Sequence, residues 1–560
     1  MTESSIARAG LSRKESLAVI GCCAFGSLLA ILWSWRHGAL LNYGDAVAHL
    51  HIARRVIDSH RPGLTQLGSV WLPLPHLMMI PFVAVYAWWA DGIAGAIPSA
   101  IAYLAACSGI YRLARNWLEP TAAALALVFF AANPNLLYLQ TTAMTEPLFL
   151  CEMIWVAVWL VEWRGLLETE PSRAARMLWW IAAALIAAIY TRYDGWILAL
   201  LAWTGIGLVL MRRGKLRSRT FWLASVLVVA APVAWFIYNA AAFGDWLGFA
   251  RGPYSAKAIE IRTATPGWPP HPGWHDPWVS LLFYVKAAEM DAVASAWGNA
   301  LLVLSVFGTL WGWLIARRRA FAWALFLWLP IPFYIYSVSY GSVPIFLPPW
   351  WPHSWYNTRY GMEMLPAFAL GLGFTAHVVL AAVGEFKPRD SNAKWTFCTA
   401  IVLFAVVVLN SVELIRERPL TYVEGIKNIE SRRPFELEIP PALRALLATR
   451  PGGIVLMETS VYPQLVAFTG IPLRQTINES DKEFYDAALA EPAAHAAIVV
   501  AFDGDEIDQA VHAHPAGLRA VGRFSCPGQP SATIYVSDTP NSSALNKPAH
   551  AVLASLKAIQ

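Results

Sequence analysis

Charge is what this sequence has least of. Asp, Glu, Lys and Arg supply 14% of the 560 residues, against roughly 25% in soluble domains. With 57% hydrophobic residues and a mean hydropathy of +0.46, that deficit excludes a chain surrounded by water. Cysteine is sparse too. Cys22, Cys23, Cys107, Cys151, Cys398 and Cys526 show no CxxC spacing, so neither a disulfide framework nor a zinc site is indicated. Five of them lie in apolar runs and read as small packing residues. The sequence holds no Walker-type phosphate loop, no GxGxxG fingerprint and no HExxH, the short motifs that would announce nucleotide or zinc chemistry. No internal repeat is visible. The short basic runs read as topological anchors, so nucleic acid is not an expected partner.

What the chain has in quantity is apolar runs of the ~20 residues that span a bilayer, and 28 tryptophans, a residue that collects at membrane interfaces. A polytopic α-helical membrane protein follows. The first run, 17–35, reads as a retained helix, because no trusted cleavage site follows it. Arg8, Arg13 and Lys14 precede it and place the N-terminus in the cytoplasm. The run 72–90 carries three prolines and a histidine near its start, and reads as an interfacial helix. Spans are then expected at 93–111, 120–137, 147–162, 177–191, 195–211, 220–240, 297–316, 320–339, 360–383 and 395–413, about eleven in all with the first. In that register Arg112, Arg115, Arg164, Arg173, Arg176, the run RRGKLRSR, Arg317, Arg318, Arg319, Lys387, Arg389 and Lys394 fall inside. The loops 36–92, 241–296 and 340–358 fall outside. Residues 414–560 are more polar. GGIVLME (452–458), HAAIVVAFD (495–503) and SATIYVS (531–537) read as strands, and ALRALLA and DKEFYDAALA as helices. The tail is thus expected to be a soluble α/β domain on the external side.

The stretch Asn42–Pro81 is too polar to enter a bilayer. It holds Asp45, His49, His51, His60, His76, Arg54, Arg55 and Arg61. If 45–58 is helical, Asp45 and His49 share one face, and His51 and Arg55 another. The same register brings Glu146, the pair Arg192 and Asp194, and Arg359 with Tyr356 and Tyr360 to the external face. Each has a plain structural reading. Asp45 could cap a helix, Glu146 could favour a helix N-terminus, Arg192 and Asp194 could hold a hinge, and Arg359 could anchor at the interface. Their coincidence from four segments favours a site, because ionisable groups at membrane depth are costly. Acids beside arginines suit transfer from a phosphate-linked donor. A carboxylate takes the acceptor proton, and an arginine holds the departing phosphate. The rival readings are a transporter or flippase of a lipid-linked or anionic substrate, with a polar path at the midplane, and a non-enzymatic scaffold.

Three stretches carry a resemblance: YGDAVAHLHIARRV after the first span, NPNLLYLQTTAMTEPL before the fourth, and RYGMEMLP at a late outer boundary. In this order the chain resembles the GT-C superfamily of membrane glycosyltransferases, on the branch of the protein O-mannosyltransferases and aminoarabinose transferases (dolichyl-phosphate-mannose-protein mannosyltransferase-like). The likeness covers roughly 15–415. It implies a transmembrane glycosyltransferase domain over 1–415, an external domain over 416–560, and an inverting transferase of the bacterial inner membrane with a polyprenyl-phosphate sugar donor and a lipid, glycan or protein acceptor. The family's catalytic acid falls on Asp45 and its second acid on Glu146. Arg359 and Arg192 are the candidates for the donor phosphate, with Tyr360, Asp194, His49, Arg54 and Arg55 as substrate-binding neighbours. A divalent cation, magnesium or manganese, would fall to Asp45 and Glu146. The chain departs from the O-mannosyltransferases in following Asp45 with Ala46, and from the aminoarabinose enzymes in carrying Ala48 and His49 where they have a nearby arginine.

Overall fold

The computed structural model describes residues 12–263, 267, 269–315, 321–386 and 392–538. Among them, nine helices are long and apolar enough to cross a membrane. The expectation of about eleven spans also counts the short apolar helix Pro120–Ala131 and the helix Glu146–Leu166, which carries Glu146, Glu152 and Glu162. The stretch read as interfacial forms the helices Leu74–Val83 and Tyr86–Asp91. At ~1.5 Å rise per residue neither crosses a ~30 Å hydrocarbon layer. Arg8, Arg317, Arg318, Arg319, Lys387 and Arg389 lie outside the described residues.

Two compact units form. The first contains residues up to His37, then 69–75 and 96–424. Its helices are apolar outside as well as inside. Trp222, Val226, Val229 and Ile237 stand out from Arg219–Phe243, and Val303, Leu310 and Leu314 from Gly298–Ile315. A hydrocarbon solvent accepts such faces, and water does not. Two of the helices approach through glycine. A Cβ on Gly308 would collide with the Gly371 carbonyl, and one on Gly371 with the Ser305 carbonyl. Such small-residue contacts let membrane helices pack at backbone distance. Asn133 caps Pro134–Leu139. Its Nδ2 donates to the Asp291 carbonyl, as does that of Asn135, each at 2.9 Å. Those amides tie the NPN segment to the end of the helix Pro277–Ala292.

The second unit contains residues 38–68, 76–95 and the chain from 425 onward. Much of the first loop thus groups with the tail. The reason is hydrogen bonding that sequence reading does not reveal. The Gly44 amide donates to Asn428 Oδ1 at 2.8 Å. The Tyr86 hydroxyl donates to the Ala467 carbonyl at 2.9 Å, and Gln464 to that of Ala90 at 2.7 Å. The sheet comprises β1 (Val455–Met457), β2 (Thr476–Ile477), β3 (Ile498–Phe502), β4 (Leu518–Phe524) and β5 (Ala532–Ser537) in the order β2-β1-β3-β5-β4. β1 pairs parallel with β2 and β3, and β5 pairs antiparallel with β3 and β4. The three expected strands are β1, β3 and β5. β2 is too short to signal itself, and the half-exposed β4 lacks their apolar run. The expected helices appear as Arg433–Ala448 and Glu483–Ala490. Leu456, Val499, Ala501 and Ile507 lie at the centre of the core.

Glu479, just past β2, accepts from the amide and hydroxyl of Thr459 at 2.9 and 3.0 Å. Burial raises its carboxyl from 4.5 to about 7, and burial raises Asp505 from 3.8 to about 6. The folded unit holds both protons more tightly than the unfolded chain does. Their contribution to stability is therefore full below the ordinary carboxylate values and is lost as pH rises toward the folded values. Protease resistance of this unit in the full chain should fall as pH rises from 4.5 to about 7. Glu479→Gln should flatten that fall, and an unchanged profile in the variant would contradict the assignment.

Candidate active site

Within the first unit, three polar segments converge on one carboxylate. Glu146 opens the helix Glu146–Leu166, with Pro147 fixing its first turn. It is 1% exposed. Its Oε1 accepts from Arg359 Nε at 3.0 Å and from Arg192 Nη1 at 3.3 Å. Arg192 sits in extended backbone between Pro171–Thr191 and Asp194–Arg212. The hinge is tight, since a Cβ on Gly195 would collide with the Ala188 carbonyl. Arg359 lies in the 3-10 turn Thr358–Met364, entered through Asn357 at φ 55°.

Each nitrogen of the Arg192 guanidinium has an acceptor. Nε pairs with Asp194 Oδ2 at 3.1 Å, and Nη1 with Thr145 Oγ1 and Glu146. Nη2 reaches the Tyr334 hydroxyl at 2.8 Å and Glu363 Oε1 at 3.3 Å. The Tyr334 hydroxyl donates to Glu363 Oε1 at 2.7 Å. The Tyr360 ring lies 5.0 Å from the Arg192 guanidinium and 5.1 Å from that of Arg359, within cation–π range, and stacks on Tyr334. Arg359 Nη1 donates to Glu424 Oε1 at 2.7 Å. Glu424 also accepts from the amides of Asn357 and Arg359 and from the Thr358 hydroxyl, so it fixes the turn that carries the arginine. Asp291 is fully buried, with the Met362 amide against its carboxyl. Burial raises its pKa, reinforced by Glu424 and Glu146, so it resists ionisation.

The structure thus brings together Glu146, Arg192, Asp194, Arg359 and Tyr360. The plain hinge reading of Arg192 is too small, because the side chain links four partners beyond Asp194. Sequence reading missed Tyr334, Glu363, Glu424 and Asp291. Glu363 was legible as the i+4 neighbour of Arg359 in RYGMEMLP. Glu424 was hidden by its assignment to the tail.

In the second unit, Asp45 lies in the first turn of Gly44–Arg55 and is part-exposed. The cap position is Tyr43, without a side-chain cap, so helix capping does not account for Asp45. Arg432, which sequence reading missed, is 5% exposed and donates to the Asn42 carbonyl at 3.0 Å and to Glu436 at 3.2 Å. Burial lowers its pKa, opposed by the charges of Glu436 and Asp45. His49 Nδ1 and His76 Nε2 share a hydrogen bond of 2.8 Å. Arg54 pairs with Asp58 at 2.8 Å, donates to the Val83 carbonyl, and lies over Tyr86 and Trp89. Arg55 meets Ser480 and the Gln66 carbonyl.

Among the described residues, no group of three or more His, Cys, Asp or Glu is arranged to hold a metal ion. Two guanidinium groups already occupy Glu146 Oε1, where a divalent cation would otherwise bind.

The fold is one that solved GT-C glycosyltransferases share. The particular likeness is to ArnT from Cupriavidus metallidurans. The structure bound to undecaprenyl phosphate superposes with a TM-score of 0.52 at 14% identity, over 93% of this chain and 98% of that one. The apo state gives 0.52 at 15% identity, over 95% and 100%. No protein-family model and no curated protein matches the sequence.

Removing one member of a buried ion network strands its partners, at ~3–5 kcal/mol. Arg359→Met should therefore lower the melting temperature of the detergent-solubilised protein. Arg359→Lys should fall between it and wild type, because an ammonium cannot reproduce the guanidinium fork. A wild-type melting temperature for Arg359→Met would show that the network contributes nothing.

Proposed function

We propose that the chain is an integral-membrane glycosyltransferase that moves a sugar from a polyprenyl-phosphate donor to an acceptor hydroxyl, with inversion. It works at the periplasmic face of a bacterial inner membrane, with a cytoplasmic N-terminus and an external C-terminal unit. The observation that carries this reading is the convergence of Arg192 and Arg359 on buried Glu146, in a chain whose fold is shared with a structure holding undecaprenyl phosphate.

In the proposed reaction, the acceptor oxygen attacks the anomeric carbon as the bond from that carbon to the phosphate oxygen breaks. Asp45 takes the acceptor proton, and polyprenyl phosphate leaves with the bonding pair. Arg359 or Arg192 holds the departing phosphate. Glu146 holds the two guanidinium groups in register and supports the acceptor. The transporter reading draws no support here, because Glu146, Arg192 and Arg359 lie at helix ends and turns and not along helix interiors.

Membranes incubated with polyprenyl-phosphate sugars and analysed for product test the reading. Asp45→Asn should insert and fold normally yet lose transfer by the ~10²–10⁴-fold a general base contributes. Full activity in that variant would remove Asp45 from the mechanism, and no transfer by the wild type from any such donor would remove the enzyme reading.

A further inference from the structure

The helix that begins with Glu146 has a second polar end. Glu162 lies about 24 Å farther along its axis at the helical rise, at the end that the charge bias assigns to the cytoplasm. A cavity of about 450 Å³ opens there. Its polar lining is Arg112, Glu162, Arg173 and Arg176, and its aromatic wall is Trp155, Trp159 and Trp180. None of these belongs to the proposed reaction.

The lining carries more positive than negative charge. Arg112 grips Glu162 with both arms of its fork, Nε to Oε1 at 2.6 Å and Nη2 to Oε2 at 2.7 Å. Its guanidinium lies 5.6 Å from the Trp155 ring centroid. Arg173 meets Glu170 at 3.6 Å in an exposed pair, which is worth little. Among the described residues no carboxylate pairs with Arg176. The wall is continuous. Trp155 and Trp159 have centroids 5.1 Å apart, and Trp159 and Trp180 5.9 Å. The Trp155 indole donates to the Ala105 carbonyl at 2.9 Å, which fixes the first ring.

We infer that this cavity binds the phosphate of an anionic glycerophospholipid, with Arg173 and Arg176 as its ligands, Arg112 behind them, and an acyl chain along the three indoles. Basic pockets at the ends of membrane helices suit anionic headgroups, and tryptophan favours the depth where headgroup meets chain. A zwitterionic headgroup would bring an ammonium group against the arginines. A soluble phosphate would make no use of the aromatic wall.

The test uses the purified full-length chain in detergent, titrated with phosphatidylglycerol, phosphatidylcholine or inorganic phosphate and read by native mass spectrometry. The wild type should retain phosphatidylglycerol in preference to the other two. The double variant Arg173→Ala with Arg176→Ala should weaken that retention by about tenfold or more. Both side chains are exposed, so melting temperature and glycosyl transfer should not change. Equal retention of phosphatidylglycerol and phosphatidylcholine, or wild-type retention by the double variant, overturns the proposal. Phosphate binding as strongly as phosphatidylglycerol overturns its lipid part. Transfer activity is read separately, so failure here leaves the glycosyltransferase reading intact.

Discussion

Two arginines confined among carboxylates, away from water, are the constraint on which the first unit depends. Charges in such surroundings survive only when paired and hydrogen-bonded. Glu146 meets that condition by accepting from both guanidinium groups at once. The geometry follows from it. The hinge at Arg192 must be tight, hence Gly195 beneath the Ala188 carbonyl. The turn at Arg359 must be held from below, hence Glu424 on its amides. The aromatic rings of Tyr334 and Tyr360 close the cluster with faces that tolerate cations.

The bilayer explains the rest of that unit. Apolar faces turned outward and glycine contacts turned inward belong to a chain whose solvent is hydrocarbon. The second unit obeys water instead. Its sheet has a buried parallel half and a half-exposed antiparallel edge in β4, the arrangement expected where one margin of a sheet is wetted. Its carboxyls with raised pKa, Glu479 and Asp505, are those that burial has separated from that water.

Much of this was legible in the chain. The long apolar helices, the strands β1, β3 and β5, and the ionisable residues Glu146, Arg192, Asp194 and Arg359 that the structure brings together stand out by composition, periodicity and charge. What was missed has specific causes. Asp291 sits at the end of a helix in a long polar loop and carries no pattern. Glu424 follows the last apolar run closely, so a composition boundary placed it with the tail. Arg432 looked like one basic residue among several. The docking of the first loop onto the tail rests on single hydrogen bonds such as Gly44 to Asn428, between residues 384 positions apart.

Sequence by itself determined the solvent of each part, because transfer energies depend on residue type alone, and it determined which ionisable groups fall at helix ends, because helix length and position follow from the apolar runs. Only the tertiary structure decided which acid meets which arginine. Glu146 is 46 residues from Arg192 and 213 from Arg359. At such separations pairing is set by how helices pack and not by local spacing. The same packing buried Asp291 completely and left the far end of the Glu146 helix with an arginine-lined cavity.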